Sequence, residues 1–350
     1  MDPVQLLIGV KNLFILLNGL VYIKYSLNSY IYIYMNILFI APEFHDWIDS
    51  IKKINVPNVK IYITSTDNLN ELVTLLKSKN IHILIPCRFG QMRFIIENHK
   101  QIKKNVKHVI CLRNYDTIDV FDNKIKFREF MINNEFQDLI PITYKINNYS
   151  SPQTSITHSL HSSNSQESNE IKDGPKLYSL KNNKKKIIEP IKYPCIFKLA
   201  KTYSGMGSHI INNKKELLEC EENHKTHQSF VQEYIYDKDK LEYAAHMFIV
   251  NGNIKWGVVY KMIHPSKLFI QRGKMDEYEK IDNFDFSTFE KIFQVIKYTG
   301  FVCIDFKIIG DNGNIKIFEI NPRLGGTLVN NIDDFNSLTK YVSEYYSQKN

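Results

Sequence analysis

The sequence predicts an α/β unit with a parallel sheet, followed by a larger α+β part built from antiparallel sheets and helices. Between residues 36 and 113, short apolar runs alternate with polar stretches that suit helices. That order is typical of parallel strands joined by right-handed helical crossovers. From residue 193 onward, strand-like runs come in pairs separated by short turn sequences, which favours antiparallel hairpins. The length of 350 residues is enough for two or three domains.

The N-terminal unit, 35–113, contains four strand candidates. They are 36–41 (NILFIA), 59–64 (VKIYIT), 81–86 (IHILIP) and 108–112 (HVICL). Between the second and third, leucines and a valine at helical spacing predict a helix over 68–79. No GxGxxG sequence follows the first strand, so the sequence lacks a dinucleotide-binding fingerprint.

The first 34 residues are predicted to be a hydrophobic extension outside this fold. Residues 5–23 are apolar and nearly long enough to span a bilayer. Lys11 and Asn18 interrupt them, and a lysine at the centre of a membrane helix costs about 3 kcal/mol. No small-residue cleavage site follows, which argues against a secretory signal. Membrane association through 5–23 is kept as the alternative.

The composition is that of a globular protein with a substantial core, at 43% hydrophobic and 23% charged residues. The formal charge of +8 suits anionic small ligands as well as nucleic acid. The densest basic run, 181–186, lies in a polar linker, so we expect no specific nucleic-acid binding. The five cysteines lie far apart without a CxxC pair, which excludes a zinc ribbon and a disulfide framework. A reducing, cytoplasmic compartment fits this pattern best.

The part from 114 to 350 is predicted to be one domain that carries a disordered insertion. Residues 116–140 have helical periodicity with a break at Asn123, and a strand follows Pro141. Residues 147–190 are rich in Ser, Asn and Lys. Few side chains there would offset the entropy lost on ordering, so we expect this insertion to be disordered.

Beyond residue 193 the pattern of strands and helices resumes. The predicted strands are 195–199, 209–211, 230–235, 244–250, 253–260, 301–309 and 315–321. The predicted helices are a polar one containing 216–222, one over 289–298 and a closing one from 333. Asn251-Gly252 joins two strands and supplies the positive φ values of a type I′ turn. His224 and His227, one turn apart beside acidic residues, indicate an exposed polar helix.

The last predicted hairpin carries two acids in otherwise apolar strands. If Ile309 lies opposite Ile315, Asp305 lies opposite Glu319, with Cβ atoms about 5 Å apart. Carboxylates so close repel each other, and a proton, a basic side chain or a divalent cation must relieve that repulsion. Strand alternation places Asn321 on the same face as Glu319 and the isoleucines of the return strand. Two carboxylates and a carbonyl oxygen favour Mg²⁺ or Mn²⁺.

A second set of residues suits phosphate groups. Lys198 lies six residues before the loop SGMGS at 204–208. The loop offers backbone amides and hydroxyls as donors, and the lysine offers a point charge. The Walker A pattern is absent because Lys198 precedes the glycines, which disfavours a P-loop site. Arg323 and Gly325-Gly326 follow the acids of the last hairpin.

The order of these parts resembles the ATP-grasp superfamily, in particular its carboxylate–amine ligases and enzymes like the large chain of carbamoyl-phosphate synthetase. The resemblance runs from about Met35 to the end of the chain, and Asp305 followed by EINPRLGG is its most specific part. It implies a pre-ATP-grasp domain at 35–113 and a two-lobed ATP-grasp domain at 114–350. The insertion would then lie between two ATP-contacting lysines.

The resemblance also implies roles for individual residues. Asn123-Lys124 resembles the acid–lysine pair that supplies the first of those lysines, with asparagine in place of the acid. The implied ATP site comprises Lys124, Lys198, Ser204, Gly205, Gly207, Ser208, the hinge residues Gln232, Glu233, Tyr234 and Ile235, and Glu242 at the ribose. The implied Mg²⁺ ligands are Asp305, Glu319 and Asn321, and the implied catalytic residues are Arg323 and Lys198.

These roles imply an ATP- and Mg²⁺-dependent ligase. In such an enzyme a small-molecule carboxylate becomes an acyl phosphate, and an amine then displaces phosphate to form an amide, with ADP as the other product. Two other readings stay open: a non-catalytic ATP-binding module, and a phosphotransferase or carboxylase that makes no amide.

Overall fold

The computed structural model describes residues 9–17, 20–28, 34–41, 45–111, 115–147, 190–202, 205–236, 241–263, 278–310 and 313–349. Within these ranges the strands form four sheets. The first is a two-stranded antiparallel ribbon of β1 (Gly9–Leu17) and β2 (Leu20–Asn28). In the described part of the chain, no helix is both long and apolar enough to cross a membrane.

The second sheet is parallel and has the strand order β4-β3-β5-β6. Its strands are β3 (Met35–Ile40), β4 (Val59–Thr64), β5 (Ile83–Pro86) and β6 (His108–Val109). The accompanying helices are α1 (His45–Lys52), α2 (Leu69–Ser78), α3 (Phe89–Glu97) and α4 (His99–Lys103). All four predicted strands and α2 are confirmed. Helices α1, α3 and α4 lie between the strands, in stretches for which the sequence predicted helices in general but no bounds. Asn68 caps α2, because its side chain accepts hydrogen bonds from the Asn70 and Glu71 amides.

The third sheet is a small antiparallel one of order β7-β10-β8-β9. Its strands are β7 (Thr143–Asn147), β8 (Cys195–Leu199), β9 (Ser208–Ile211) and β10 (Ser229–Glu233). In chain order, α5 (Tyr115–Asp122), α6 (Lys124–Asn133) and a 3₁₀ turn (Gln137–Leu139) precede β7. Helix α7 (Lys214–Asn223) follows β9 and packs against it. The insertion predicted at 147–190 connects β7 to β8 and, apart from its two end residues, lies outside the described residues.

The fourth sheet has five antiparallel strands in the order β13-β12-β11-β14-β15. Its strands are β11 (Leu241–Val250), β12 (Asn253–Ile263), β13 (Tyr278–Ile281), β14 (Gly300–Ile309) and β15 (Asn314–Asn321). The remaining helices are α8 (Ser287–Val295), α9 (Gly326–Asn330) and α10 (Ile332–Ser347). The type I′ prediction between β11 and β12 is confirmed by positive φ values at Asn251 (50°) and Gly252 (81°).

The parallel sheet and the five-stranded sheet share two apolar cores. Leu38 of β3 belongs to one core together with Ile304 of β14. Ile37 and Phe39 point to the other face of β3 and pack in a second core with Phe335 of α10. A strand buried on both faces explains why β3 is apolar at nearly every position.

Candidate active site

The two acids of the last hairpin face each other, but by a different register from the one predicted. Ile309 pairs with Asn314, not with Ile315, so the turn is one residue tighter than expected. A β-bulge then inserts one extra residue in β15 and restores the pairing of Asp305 with Glu319. The bulge is therefore what brings the carboxylates into register.

The bulge also corrects the predicted face of β15. Ile317 and Ile320 both pack into the core although they are three residues apart. Ile317 was predicted on the face of Glu319, and this is wrong because the extra residue reverses the alternation between them. The displaced residue, Phe318, is half-buried, and its ring centroid lies 5.3 Å from Nζ of Lys198. The bulge thus gives the site both an acid pair and an aromatic support for a lysine.

The facing carboxylates titrate in opposite directions. Burial, repulsion by Glu319 and repulsion by Glu242 raise the pKa of Asp305 well above its ordinary value. Burial would also raise the pKa of Glu319, but Lys124, a hydrogen bond from Asn321, Lys198 and Arg323 lower it to about 2. Of the two acids, Asp305 is therefore the one that favours the protonated form, and Glu319 the one that favours the ionised form. A proton and a basic side chain both relieve the repulsion here, and a bound cation would take the place of the proton.

Asn321, the last residue of β15, and Arg323, just after that strand, extend this group of polar side chains. The Asn321 amide donates to Oε1 of Glu319 at 2.9 Å, and its Oδ1 lies 3.5 Å from Nη2 of Arg323. Arg323 also donates from Nη1 to the Leu324 carbonyl oxygen at 2.9 Å. Two carboxylates and one amide thus lie in one continuous group, in which the amide nitrogen of Asn321 faces Glu319 and the amide oxygen faces Arg323. The oxygens of this group are of the hard type that Mg²⁺ prefers.

Gly325 is required by packing rather than by backbone conformation. A Cβ atom there would lie 2.4 Å from Cε1 of His246 and 2.6 Å from Sγ of Cys303. His246 is buried, and neither of its ring nitrogens has a hydrogen-bond partner among the described residues. Burial and the nearby Arg323 lower its pKa to about 3, so the ring is neutral.

Lys124 connects helix α6 to the small sheet and to the acid pair. Asn123 caps α6 by accepting from the amides of Ile125 and Lys126, so asparagine serves here as an acid would at an N-cap. The Lys124 amide donates to the Ala200 carbonyl at 2.9 Å, and its Nζ donates to the Thr202 carbonyl at 2.6 Å. Nζ also lies 3.4 Å from Oε2 of Glu319.

Lys198 brings a second positive charge to the same place. It lies on β8, opposite Ser208 of β9 and Phe230 of β10. Burial and the neighbouring Lys124 lower its pKa to about 8, against the opposing effects of Glu319 and Glu242. Two cations held close together favour the binding of a polyanion, which would relieve their repulsion.

The glycine-rich loop lies directly after β8. Gly205 and Gly207 have φ values of 68° and 65°, which suit glycine. A Cβ on Gly207 would lie 2.6 Å from Cδ1 of Leu199, so this glycine is also required by space. Ser208 opens β9 opposite Lys198. Ser204, the first residue of the predicted loop, lies outside the described residues.

The predicted hinge follows β10, which ends at Glu233 and not at residue 235 as predicted, because the chain leaves the sheet there. Glu233 is tied back to β7 by the Ile142 amide, which donates to its Oε1 at 2.7 Å. Gln232 is buried, and its Oε1 accepts from Nη1 of Arg128 at 3.4 Å. The Ile235 carbonyl accepts from Nζ of Lys307 at 3.1 Å. The side chains of Gln232 and Glu233 therefore accept hydrogen bonds from other parts of the protein, namely Arg128 and the Ile142 amide.

Glu242, near the start of β11, is a third acid close to the facing pair and to Lys198. Burial raises its pKa to about 7, although Lys307 and Lys198 oppose that rise. Tyr234 of the hinge has its ring centroid 5.6 Å from Nζ of the same Lys307. Lys307 thus links the hinge to Glu242.

Comparison with solved structures identifies the architecture, although no protein-family model matches the sequence and no curated protein is significantly similar to it. N5-carboxyaminoimidazole synthetase from Staphylococcus aureus, complexed with ADP, aligns at a TM-score of 0.55 and 15% identity, over 89% of this chain and 78% of that one. D-alanine–D-alanine ligase from Bacillus anthracis, complexed with ATP, aligns at 0.51 and 13%, over 88% and 94%. Biotin carboxylase from Campylobacter jejuni aligns at 0.51 and 14%, over 88% and 70%.

The chain has the ATP-grasp fold. The predicted fold class, a parallel sheet followed by antiparallel sheets with helices, is confirmed. Within this fold, six of the side chains predicted to form the site converge on Glu319: Lys124, Lys198, Glu242, Asp305, Asn321 and Arg323. The predicted roles of individual residues stay proposals.

Three neighbours of this group of side chains were not predicted to belong to it. Lys307 is buried between Glu242 and the hinge, and its alternation with Asp305 along β14 was the signal that pointed to it. Arg128 lies one helical turn after Lys124, on the same face of α6, and is buried against Gln232. Phe318 had no sequence signal, because its position depends on the bulge.

Proposed function

We propose that this protein is an ATP- and Mg²⁺-dependent ligase that activates a carboxylate as an acyl phosphate and joins it to an amine, with ADP and phosphate as the other products. The observation that supports this most is the facing pair Asp305 and Glu319 in contact with Lys124. Burying two acids beside two lysines and an arginine costs free energy, because each charge loses hydration. A metal–nucleotide complex would offset this cost, because the acids would bind the metal ion and the basic side chains would bind the phosphates.

The proposed metal ligands are Asp305, Glu319 and Asn321, with Mg²⁺ or Mn²⁺ as the ion. The ion would supply charge neutralisation for the β- and γ-phosphates. Asp305 releases its proton when a cation binds, since the positive charge favours the carboxylate form. Glu319 is already ionised, so the metal site needs only one deprotonation.

The proposed nucleotide contacts come from helix α6, from the inner strands β8 and β10 of the small sheet with the segments that follow them, and from β11. Lys124 and Lys198 would bind phosphate oxygens, and the amides of Gly205, Gly207 and Ser208, together with Ser204, would cover them. The backbone of Gln232 to Ile235 would meet the adenine, and Glu242 would accept hydrogen bonds from the ribose hydroxyls. Fold relatives crystallised with ADP and with ATP support a nucleotide as the ligand.

The proposed reaction has two steps. In the first, a substrate carboxylate oxygen forms a bond to the γ-phosphorus of ATP while the bond to the bridging oxygen of ADP breaks. Lys198 and Arg323 stabilise the transferred phosphoryl group by charge. In the second, a neutral amine attacks the acyl carbon, phosphate leaves with the bonding electrons, and the amine nitrogen loses a proton. Most of the catalytic effect would come from positioning and preorganised charge.

The test is ADP release from the full chain with Mg²⁺ and ATP against a panel of amino acids, peptides, sugar acids and bicarbonate, each with and without amines. We expect ADP release that depends on one carboxylate and one amine, with an amide detected by mass spectrometry. A phosphorylated or carboxylated product formed without an amine would instead indicate a phosphotransferase or carboxylase. Nucleotide binding without any turnover would indicate a non-catalytic module.

The assignment of the site is tested by two variants with matched controls. Glu319→Gln and Lys198→Ala should each lower ADP release at least about 100-fold, since loss of charge stabilisation costs about 3 kcal/mol. Glu279→Gln and Lys215→Ala change exposed residues of the same types and should retain normal rates. Near-normal turnover in either site variant, or no nucleotide uptake by calorimetry, would overturn the proposal.

A further inference from the structure

A second cluster of polar side chains lies away from the acid pair, where helix α7 covers the small sheet. It consists of His209 on β9, Cys220 in α7 and His224, which caps the C-terminal end of that helix. Cys220 and His224 are four residues apart, so both project from one face of α7. Only two residues, Asn212 and Asn213, separate β9 from α7, so the helix folds back over the strand that precedes it.

The two imidazoles are already at the separation of ligands on one ion. Nε2 of His209 lies 3.3 Å from Nε2 of His224. Two nitrogens at about 2.05 Å from a tetrahedral zinc ion are roughly 3.3 Å apart. The ring of His224 is held in this orientation by stacking on Phe197, with centroids 5.5 Å apart. The histidine pair is therefore preorganised by the sheet beneath it.

The thiol of Cys220 completes a three-ligand set. Its sulfur and the two histidine nitrogens all lie within 4.8 Å of one another. A zinc-bound nitrogen and sulfur are roughly 3.6 Å apart, so the sulfur and the nitrogens need to approach each other by no more than about 1.2 Å. Cys220 is buried and both histidines are partly buried, which leaves solvent access for an ion and for a water ligand.

The chemistry of this set differs from that of the acid pair. Imidazole and thiolate are borderline and soft ligands that suit Zn²⁺, whereas Mg²⁺ prefers oxygen. The sequence predicted an exposed polar helix from His224 and His227 alone. It gave no sign that His209, on a separate strand, lies close to Cys220 and His224. The cysteine spacing excluded a zinc ribbon, and it said nothing about a site with one thiol.

We propose that His209, Cys220 and His224 bind a zinc-type divalent ion, with water as the fourth ligand. Such an ion fastens α7 to β9. Because β9 begins at Ser208, the last residue of the glycine-rich loop, the ion also anchors the end of that loop. The proposed site does not depend on the ligase assignment.

The test is a titration of the chelator-treated full chain with Co²⁺ in excess Mg²⁺, which keeps the oxygen ligands occupied. We expect one equivalent to bind with a thiolate-to-cobalt charge-transfer band and tetrahedral d–d absorption, both lost when Zn²⁺ is added. Loss of outer-shell partners of metal ligands costs 10–100-fold in affinity, so Cys220→Ala and His224→Gln should each weaken Zn²⁺ binding at least about 100-fold.

Cys195→Ala provides the matched control, because Cys195 is a buried thiol in the same apolar cluster as Cys220 but outside the ligand set. Zn²⁺ should raise the unfolding temperature of the parent chain and of Cys195→Ala, but not that of Cys220→Ala. His224 is only partly buried, so its variant tests the proposal even if Cys220→Ala folds poorly. Absence of the charge-transfer band, or equal Zn²⁺ affinity in the parent chain and His224→Gln, would overturn the proposal.

Discussion

The two facing acids should respond in opposite ways when each is made neutral. The pKa of Glu319 falls from an ordinary 4.5 to about 2, and one pKa unit corresponds to about 1.4 kcal/mol. The ionised carboxylate therefore contributes about 3 kcal/mol to folding at pH 7. The side chain is 27% exposed, so solvent screening reduces this contribution. We expect Glu319→Gln to lower the free energy of unfolding by about 2–3 kcal/mol.

The pH dependence of this effect follows from the sign of the shift. A carboxylate with a lowered pKa in the folded state stabilises the protein above its unfolded pKa, here about 4.5. That contribution is lost as the pH falls from about 4.5 towards 2. The difference between the parent chain and Glu319→Gln should therefore be full at pH 7 and should begin to shrink below pH 4.5.

Asp305 should behave in the opposite way. Its pKa is raised in the folded state, so its contribution to stability is present only at low pH and is lost as the pH rises through the folded value. At a pH between its unfolded and its folded pKa, Asp305 is ionised in the unfolded chain, and folding must take up a proton there. Asparagine mimics the protonated acid without that uptake. Asp305→Asn should thus be as stable as the parent chain, or more stable, while binding the magnesium–nucleotide complex poorly.

The assay is urea unfolding at pH 7 and at pH 4 in the presence of a chelator and without nucleotide, followed by fluorescence. Calorimetry with Mg²⁺ and ADP on the same variants provides the binding measurement. The reasoning is refuted if Asp305→Asn loses as much stability as Glu319→Gln. It is also refuted if Glu319→Gln is as stable as the parent chain at pH 7.

Two further predictions concern the hinge and the glycine-rich loop. Lys307→Met leaves the buried Ile235 carbonyl without its side-chain donor, so ADP should bind about 10-fold more weakly by calorimetry, whereas the exposed Lys291→Met should bind normally. Gly207→Ala should lower the free energy of unfolding by at least about 1 kcal/mol, because its φ is 65° and its Cβ would clash. Gly90→Ala, in α3 with open space around it, should raise that free energy by about 0.5–1 kcal/mol; equal effects in urea unfolding would contradict the argument.

Elements that depend on residue types within a few positions could be predicted from the amino-acid sequence. The type I′ turn at Asn251-Gly252 and strand β8 follow from residue types and alternation within a few positions. The pairing of Asp305 with Glu319 was also predicted, since hairpin partners are related by simple counting from the turn. That count was off by one at Ile309, and the bulge in β15 compensated for it.

Contacts between side chains that are far apart in sequence could be seen only in the tertiary structure. The contact of Lys307 with the Ile235 carbonyl joins residues 72 apart, and that of Arg128 with Gln232 joins residues 104 apart. Neither contact follows from hydrophobic periodicity. Periodicity predicts which face of a helix or strand a side chain lies on, but not which residue it contacts. The same holds for the convergence of His209 with Cys220 and His224, which depends on how α7 folds back on β9. Alternation along a strand is a local steric property, whereas these meetings result from the packing of whole elements around shared cores.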